Sequence, residues 1–310
     1  VPGIAGGIMR LIPCCSLAAS LLIASCKNGT EGPLSPLSRR AAASADSFTV
    51  AAIQSYSVFN EPDSNRARFG VLTEEAARSG AQVIVLPEAA IPGYMDFTIT
   101  RAWCIDGRRV FRGLTAANVG SVAERVPGPS TEYFAAIASR YHAYVVVPII
   151  EIDPATREYF NTAVVLDTTG SILLHYRKLN PWFWAERGWA SKGDHGTTWF
   201  ESPWGRMSVI ICFDINFELP HLKALGIEHL LYPIAWVDGQ GSDWFSVRLP
   251  ALAASNRMNI IGANWSVPEG FSATWYGYGQ SVIADCHGAI LAHASTNTGS
   301  EIIYARVGRQ

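Results

Sequence analysis

The sequence predicts an α/β fold, and two stretches predict it. In the first, apolar runs at 48–54 and 82–86 flank a segment at 64–79 in which Phe69, Leu72 and Ala76 recur at helical spacing, with Gly80 as its stop. A strand–helix–strand order of this kind calls for a crossover connection within one sheet. In the second, the alternation resumes after Cys212, with a helix near 218–226, a strand at 229–234, a helix at 243–256 and a strand at 259–264. With 310 residues, 49 % of them hydrophobic, the chain can bury one large core or two small ones.

Taken in order, the chain begins with a segment outside that fold. Met9-Arg10 makes a charged start, residues 11–25 are apolar and small, and Leu22-Ile23-Ala24-Ser25-Cys26 closes the run. It is too short for a spanning helix and has the form of an export signal. The ending resembles a bacterial lipoprotein box, which would make Cys26 the lipidated first residue of an exported protein anchored to a membrane, in the periplasm or at the cell surface. An uncleaved hydrophobic anchor, or a misplaced start, stays open as the alternative. Residues 27–47 are small, polar and proline-broken, so they read as a flexible tether reaching about 70 Å when extended. The body, residues 48–310, shows no further composition shift and no repeat, and reads as one domain.

Within the body, residues 90–128 carry no regular period and are assigned to loops at a pocket mouth. A helix follows at 130–140, capped by Ser130 or Thr131, then a buried strand at 143–150. Segments 160–167 and 172–176 form a hairpin around Thr169-Gly170. The strand at 207–211 ends at Cys212, and strands near 279–284, 289–293 and 301–307 close the chain. The net charge of -2 comes from interspersed signs, and no basic stripe suggests a nucleic-acid partner. Cys14, Cys15 and Cys26 fall in the leader, which leaves Cys104, Cys212 and Cys286 in the body. An odd number leaves at least one thiol free, and a Cys104–Cys286 pair stays open. His175, His195, His221, His229 and His287 lack ligand-like spacing, so neither a metal nor a cofactor is expected.

Three stretches carry chemistry. Cys212 stands where a core strand must end, before a turn and a helix, which is a common way to present a nucleophile. An isolated cysteine there is more often inert core. Glu88 ends another apolar strand after a proline; it is either a turn carboxylate facing solvent or a half-buried one whose pKa burial raises toward that of a working base. Lys178 follows a strand rather than a helix face, and Glu186 sits eight positions on among Trp182, Trp184 and Trp189. A lysine positioned by a carboxylate and partly desolvated suits a developing oxyanion, although a surface lysine is the ordinary reading.

Leu86-Pro87-Glu88, Tyr176-Arg177-Lys178 and Ile211-Cys212-Phe213-Asp214 occur in the order and context of the carbon–nitrogen hydrolase (nitrilase) superfamily, and the resemblance covers about residues 48–307. Cys212-Phe213-Asp214-Ile215 and Tyr232-Pro233-Ile234-Ala235-Trp236 look most like the biotinidase and vanin (pantetheinase) branch, whereas the segment from Tyr176 to Glu186 resembles aliphatic amidases. The resemblance implies a four-layer αββα sandwich and a catalytic triad. Cys212 would be the nucleophile, Glu88 the general base and acid, Lys178 the oxyanion stabiliser and Glu186 an accessory glutamate. The Phe213 backbone N–H would complete the oxyanion hole, and the neighbouring cation would favour the Cys212 thiolate. It further implies a small-molecule amide substrate, cleaved through a thioester, and a homodimer. A nitrilase acting on C≡N, and a silent binding protein of the same fold, are the alternatives. Tyr94, Trp182, Trp184, Trp236 and Trp244 are the candidate substrate-binding aromatics, with plain core packing as the competing role.

Overall fold

Alternating side chains along each strand sort the molecule into layers. The structure, a computed structural model, describes residues 46–96, 113–237, 243–271 and 276–309, all within the unit Ala43–Gln310. The proposed leader with Cys26, most of the tether, and Cys104 lie outside the described residues. The elements are β1 (Ser47–Gln54), α1 (Pro62–Arg78), β2 (Val83–Val85), α2 (Pro129–Tyr141), β3 (Tyr144–Ile152), β4 (Tyr159–Leu166), β5 (Ile172–Arg177), β6 (Trp199–Ser202), β7 (Gly205–Val209), α3 (Ile215–Ala224), β8 (His229–Ile234), α4 (Leu249–Asn256), β9 (Asn259–Asn264), β10 (Val282–Ala284), β11 (Ile290–His293) and β12 (Glu301–Gly308).

They form two mixed sheets, ordered β12-β1-β2-β3-β4-β5 and β11-β10-β9-β8-β7-β6. Parallel pairs lie at the centre of each, β1–β2–β3 and β7–β8–β9, with antiparallel strands outside them. Period-two alternation then decides what each face meets. Phe48, Val50, Ala52, Val83, Val85, Val146, Ala163 and Val165 point between the sheets, toward Met207, Val209 and Leu231. Their neighbours Ala51, Ile53, Ile84, Leu86, Val145 and Val147 face the other way, onto Phe69 of α1 and Phe134 and Ile137 of α2. On the second sheet, α3 and α4 pack through Leu219, Leu222, Leu249 and Ala253. The result is the expected αββα sandwich. Because both faces of the central strands are covered, those strands read as continuous apolar runs rather than alternating ones.

Three elements differ from the sequence reading. The strand Trp199–Ser202 was not foreseen; it is four residues long, at a sheet edge, with exposed Trp199 alternating with buried Phe200. The helix after Cys212 starts at Ile215 rather than near 218, so Pro220 lies inside it. Pro220 keeps a helical φ, and the carbonyl its missing N–H releases belongs to exposed Asn216. The segment at 243–256 is a five-residue π turn, Trp244–Arg248, followed by α4 with Pro250 near its start. Among the described residues no helix is long and apolar enough to cross a membrane.

The β4–β5 hairpin is held against α2 at its turn. Gly170 adopts φ +85°, and an added Cβ would lie 2.6 Å from the Ala135 carbonyl oxygen. Gly170→Ala is therefore expected to lower unfolding stability by about 2 kcal/mol or more, from the left-handed backbone plus the clash, measured by denaturant melts. An unchanged midpoint would show that the turn is free to move off the helix.

Candidate active site

The ends of three strands meet at one place. Glu88 follows β2, Lys178 follows β5 and Cys212 follows β7, and all three are buried. The two sheets are joined beside them, since the Glu88 N–H donates to the Ile234 carbonyl at the end of β8 (3.2 Å). Lys178 Nζ donates to Glu88 Oε1 and to Glu186 Oε2, each at 2.7 Å. Cys212 lies beside them, since Glu88, Lys178 and the Ala235 backbone N–H all act on its proton affinity. The sulfur, the ammonium and the carboxylates thus converge in one buried region.

Alternation at the end of β5 separates two adjacent cations. Lys178 turns inward, whereas Arg177 enters an ionic cluster with Glu151 (2.5 Å), Asp153 (2.8 Å) and Asp194 (2.9 Å) that anchors the strand end. His175 belongs to that cluster through Glu151 (2.7 Å), with the His195 ring 4.6 Å away. Glu186 is carried in by a tight turn, in which the Trp182 N–H caps Glu186 Oε2 and the Glu186 N–H donates to the Trp182 carbonyl (2.8 Å).

Cys212 adopts φ +43°, an unfavourable backbone for a residue with a Cβ, and opens a short 3-10 turn, Cys212–Asp214, ahead of α3. Buried Asp214 braces that turn. It accepts from the Ile211 N–H (3.2 Å), the Tyr176 hydroxyl (2.7 Å) and the Asn180 N–H (2.7 Å). The Tyr232 hydroxyl holds the Cys212 carbonyl at 2.8 Å. The Phe213 N–H lies in the first turn, where no preceding helical carbonyl can serve it.

Burial and neighbouring charge set the proton affinities. For Glu88, desolvation is the largest influence and Glu186 adds to it; together they outweigh Lys178, so the carboxyl is held above its ordinary range. Burial pulls the Lys178 pKa down, but Glu186 and Glu88 more than reverse this and keep the side chain an ammonium. Burial and then Glu88 push the Cys212 thiol well up, against the pull of Lys178. Lys178 favours the thiolate, as expected, but burial and Glu88 outweigh it. The balance favours the protonated sulfur.

The aromatic candidates divide. Tyr94 is buried edge-on to Trp265 (6.0 Å) and feels the charges of Glu186, Glu88 and Cys212, which with burial raise its pKa well above the ordinary phenol value. Trp236 stacks on Trp244 with centroids 3.9 Å apart, directly after Ala235, whose N–H meets the sulfur. Trp182 packs against the cluster that contains Tyr94 and Trp265. Trp184 does not join them: it is 42 % exposed against Phe183, because Ala185 and Glu186 are the inward residues of that turn. Asn161 and Trp265 were missed. Asn161 Nδ2 donates to both Glu88 Oε1 (2.7 Å) and Glu186 Oε1 (2.6 Å), and a carboxamide inside the apolar run Phe160–Leu166 was the available signal.

The chain matches the carbon–nitrogen hydrolase family over residues 49–310. It belongs to that family. Formamidases of Bacillus thuringiensis (strain Al Hakam) and Bacillus cereus (strain B4264) are 32 % identical over 184 residues, 59 % of this chain and 54 % of theirs, so the chain spans about half the length of the curated relatives it matches. Among solved structures, an amidase from Nesterenkonia sp. superposes with TM-score 0.66 at 20 % identity, covering 86 % of this chain and 92 % of that one. Saccharomyces cerevisiae Nit3, a member of branch 10 of the nitrilase superfamily, gives 0.68 at 20 %, covering 85 % and 90 %. These likenesses establish the nitrilase-type sandwich for this carbon–nitrogen hydrolase.

One consequence follows from the charges around the thiol. Glu88→Gln removes a negative neighbour while Lys178 remains, so thiolate should appear at lower pH than in the parent protein. Ultraviolet thiolate absorbance across a pH titration, with Cys212→Ala as blank, measures it. An unchanged titration would mean that the Glu88 charge does not act on the sulfur.

Proposed function

We propose that this chain is an amidase that hydrolyses small linear amides through a thioester on Cys212. The observation that carries the reading is the convergence of a thiol, a base able to take its proton and an ammonium with a donor to spare. Lys178 has three N–H donors; two go to Glu88 and Glu186, which leaves the third for a substrate oxygen.

In the proposed cycle Cys212 Sγ attacks the amide carbon as Glu88 takes the thiol proton. The Lys178 ammonium and the Phe213 N–H hold the oxygen as it becomes negative. Glu88 passes the proton to the departing amine, the C–N bond breaks and a thioester remains. Glu88 then takes a proton from water, the hydroxyl attacks the thioester, and the proton returns to the sulfur as the acid leaves. A raised Glu88 pKa suits a group that must both accept and release a proton in each turnover.

Small substrates fit the surroundings, since Tyr94, edge-on to Trp265, feels the charges of Glu88, Glu186 and Cys212, and Trp236, stacked on Trp244, directly follows Ala235. The formamidase relatives, and Nesterenkonia amidase structures that hold acrylamide or butyramide, point the same way. They favour the aliphatic-amidase side of the sequence resemblance over pantetheine-like or biotinyl amides. Export with a lipid on Cys26 is part of the proposal and rests on the sequence of residues 9–26 alone.

Released ammonia from a panel of short primary amides tests the activity. Cys212→Ala should lower kcat/KM by at least about three orders of magnitude and move Tm by no more than a few degrees. Hydrolysis of simple nitriles with amides untouched would assign the nitrilase chemistry instead, and no turnover with no acyl adduct on Cys212 would assign a silent fold. For localisation, the full chain in a bacterial host should fractionate with membranes, and Cys26→Ala should release it. Equal partition of both forms would remove the anchor.

A further inference from the structure

We infer that Asn161 is a positioning residue for the proton shuttle: its carboxamide locks Glu88 Oε1 as a hydrogen-bond acceptor and reserves Oε2 for the proton from Cys212. The inference rests on Glu88 as the proton carrier, the reading proposed above.

Glu88 Oε1 receives two donors, Lys178 Nζ at 2.7 Å and Asn161 Nδ2 at 2.7 Å. Two N–H groups occupy both lone pairs of that oxygen. A proton placed on Oε1 would oppose them, so the one exchanged with sulfur, amine and water travels on Oε2. The same Asn161 nitrogen also donates to Glu186 Oε1 at 2.6 Å. One NH2 group with two hydrogens therefore bridges two carboxylates that also share the Lys178 ammonium. A hydroxyl has one hydrogen and can serve only one of them. A second ammonium would add a positive charge to the site. A carboxamide supplies two donors at no change in charge.

The orientation of the side chain points to this use. Turned over, Asn161 would set Oδ1 against two carboxylate oxygens. As it stands, Oδ1 is buried without a hydrogen-bond partner among the described residues. An orphaned acceptor is a cost that an apolar residue would avoid in a strand whose other members are mostly apolar. The backbone carbonyl of Asn161 accepts the Lys178 N–H at 2.8 Å, so the same residue also fixes the height of the lysine along β5.

The test compares Asn161→Leu, which keeps roughly the same volume without the donors, and Asn161→Ala with the parent protein. Glu88 loses a donor to its ionised form in both, so the acid limb of kcat/KM against pH should move upward by about one unit. kcat should fall about tenfold or more while KM changes little. A substrate-independent readout is the infrared titration of the carboxyl band that Glu88→Gln removes, which should shift in the same direction. If the acid limb and the carboxyl band both stay in place while Tm drops, Asn161 is merely structural and the inference fails. If the parent protein hydrolyses no amide, the functional reading fails, and the infrared titration still decides the role of Asn161.

Discussion

A lysine ammonium buried between two carboxylates is the constraint on which the rest of the site depends. Placing Lys178 in the interior at 1 % exposure would cost several kcal/mol if it were alone. Glu88 and Glu186 offset that cost by contacting it directly, and each needs the lysine for the same reason. The trio carries an excess of negative charge, which the Asn161 carboxamide and the Trp182 N–H take up as neutral donors. Glu186 is thus a structural condition for the ammonium as much as a neighbour of it. Burial, and after it the charge of Glu186, explains why Glu88 holds its proton more readily than an ordinary glutamate.

Cys212 depends on a second restraint. A positive φ at Cys212 costs about 1–3 kcal/mol and persists only where the surroundings over-determine it. Asp214 and Tyr232 do so by gripping the turn from both sides, and Asp214 links it through Asn180 to the chain segment just beyond Lys178. The strained turn brings the sulfur into reach of Glu88 and sends α3 away from it. In exchange the thiol is desolvated, which raises its pKa. The two restraints are coupled, since one carboxylate touches both the ammonium and the sulfur.

Much of this was legible in the chain. The apolar strands at 48–54, 82–86 and 143–150 announced a sheet buried on both faces, and the residues ending them announced where polar groups must emerge. Glu88, Lys178 and Cys212 stood out because each follows such a strand. Asn161 did not, because its strand position gives no hint of which side chains lie across the sheet. Trp184 was credited with a pocket role from proximity to Glu186, but direction within a tight turn is set by tertiary packing and it faces solvent. Trp199–Ser202 was too short for any periodicity to register, and its pairing with β7 alone defines it as a strand.

By itself, the sequence determined the order of most strands and helices, which strands are apolar runs, and the three residue types that chemistry requires at their ends. These are local properties, carried by periodicity and by punctuation at strand termini. Only the tertiary structure decided that the three ends meet, that Glu186 and Asn161 complete the charge balance, and that burial favours the protonated sulfur. Proton affinities and shared hydrogen bonds depend on distances between side chains far apart along the chain, and those distances exist only once the two sheets have packed.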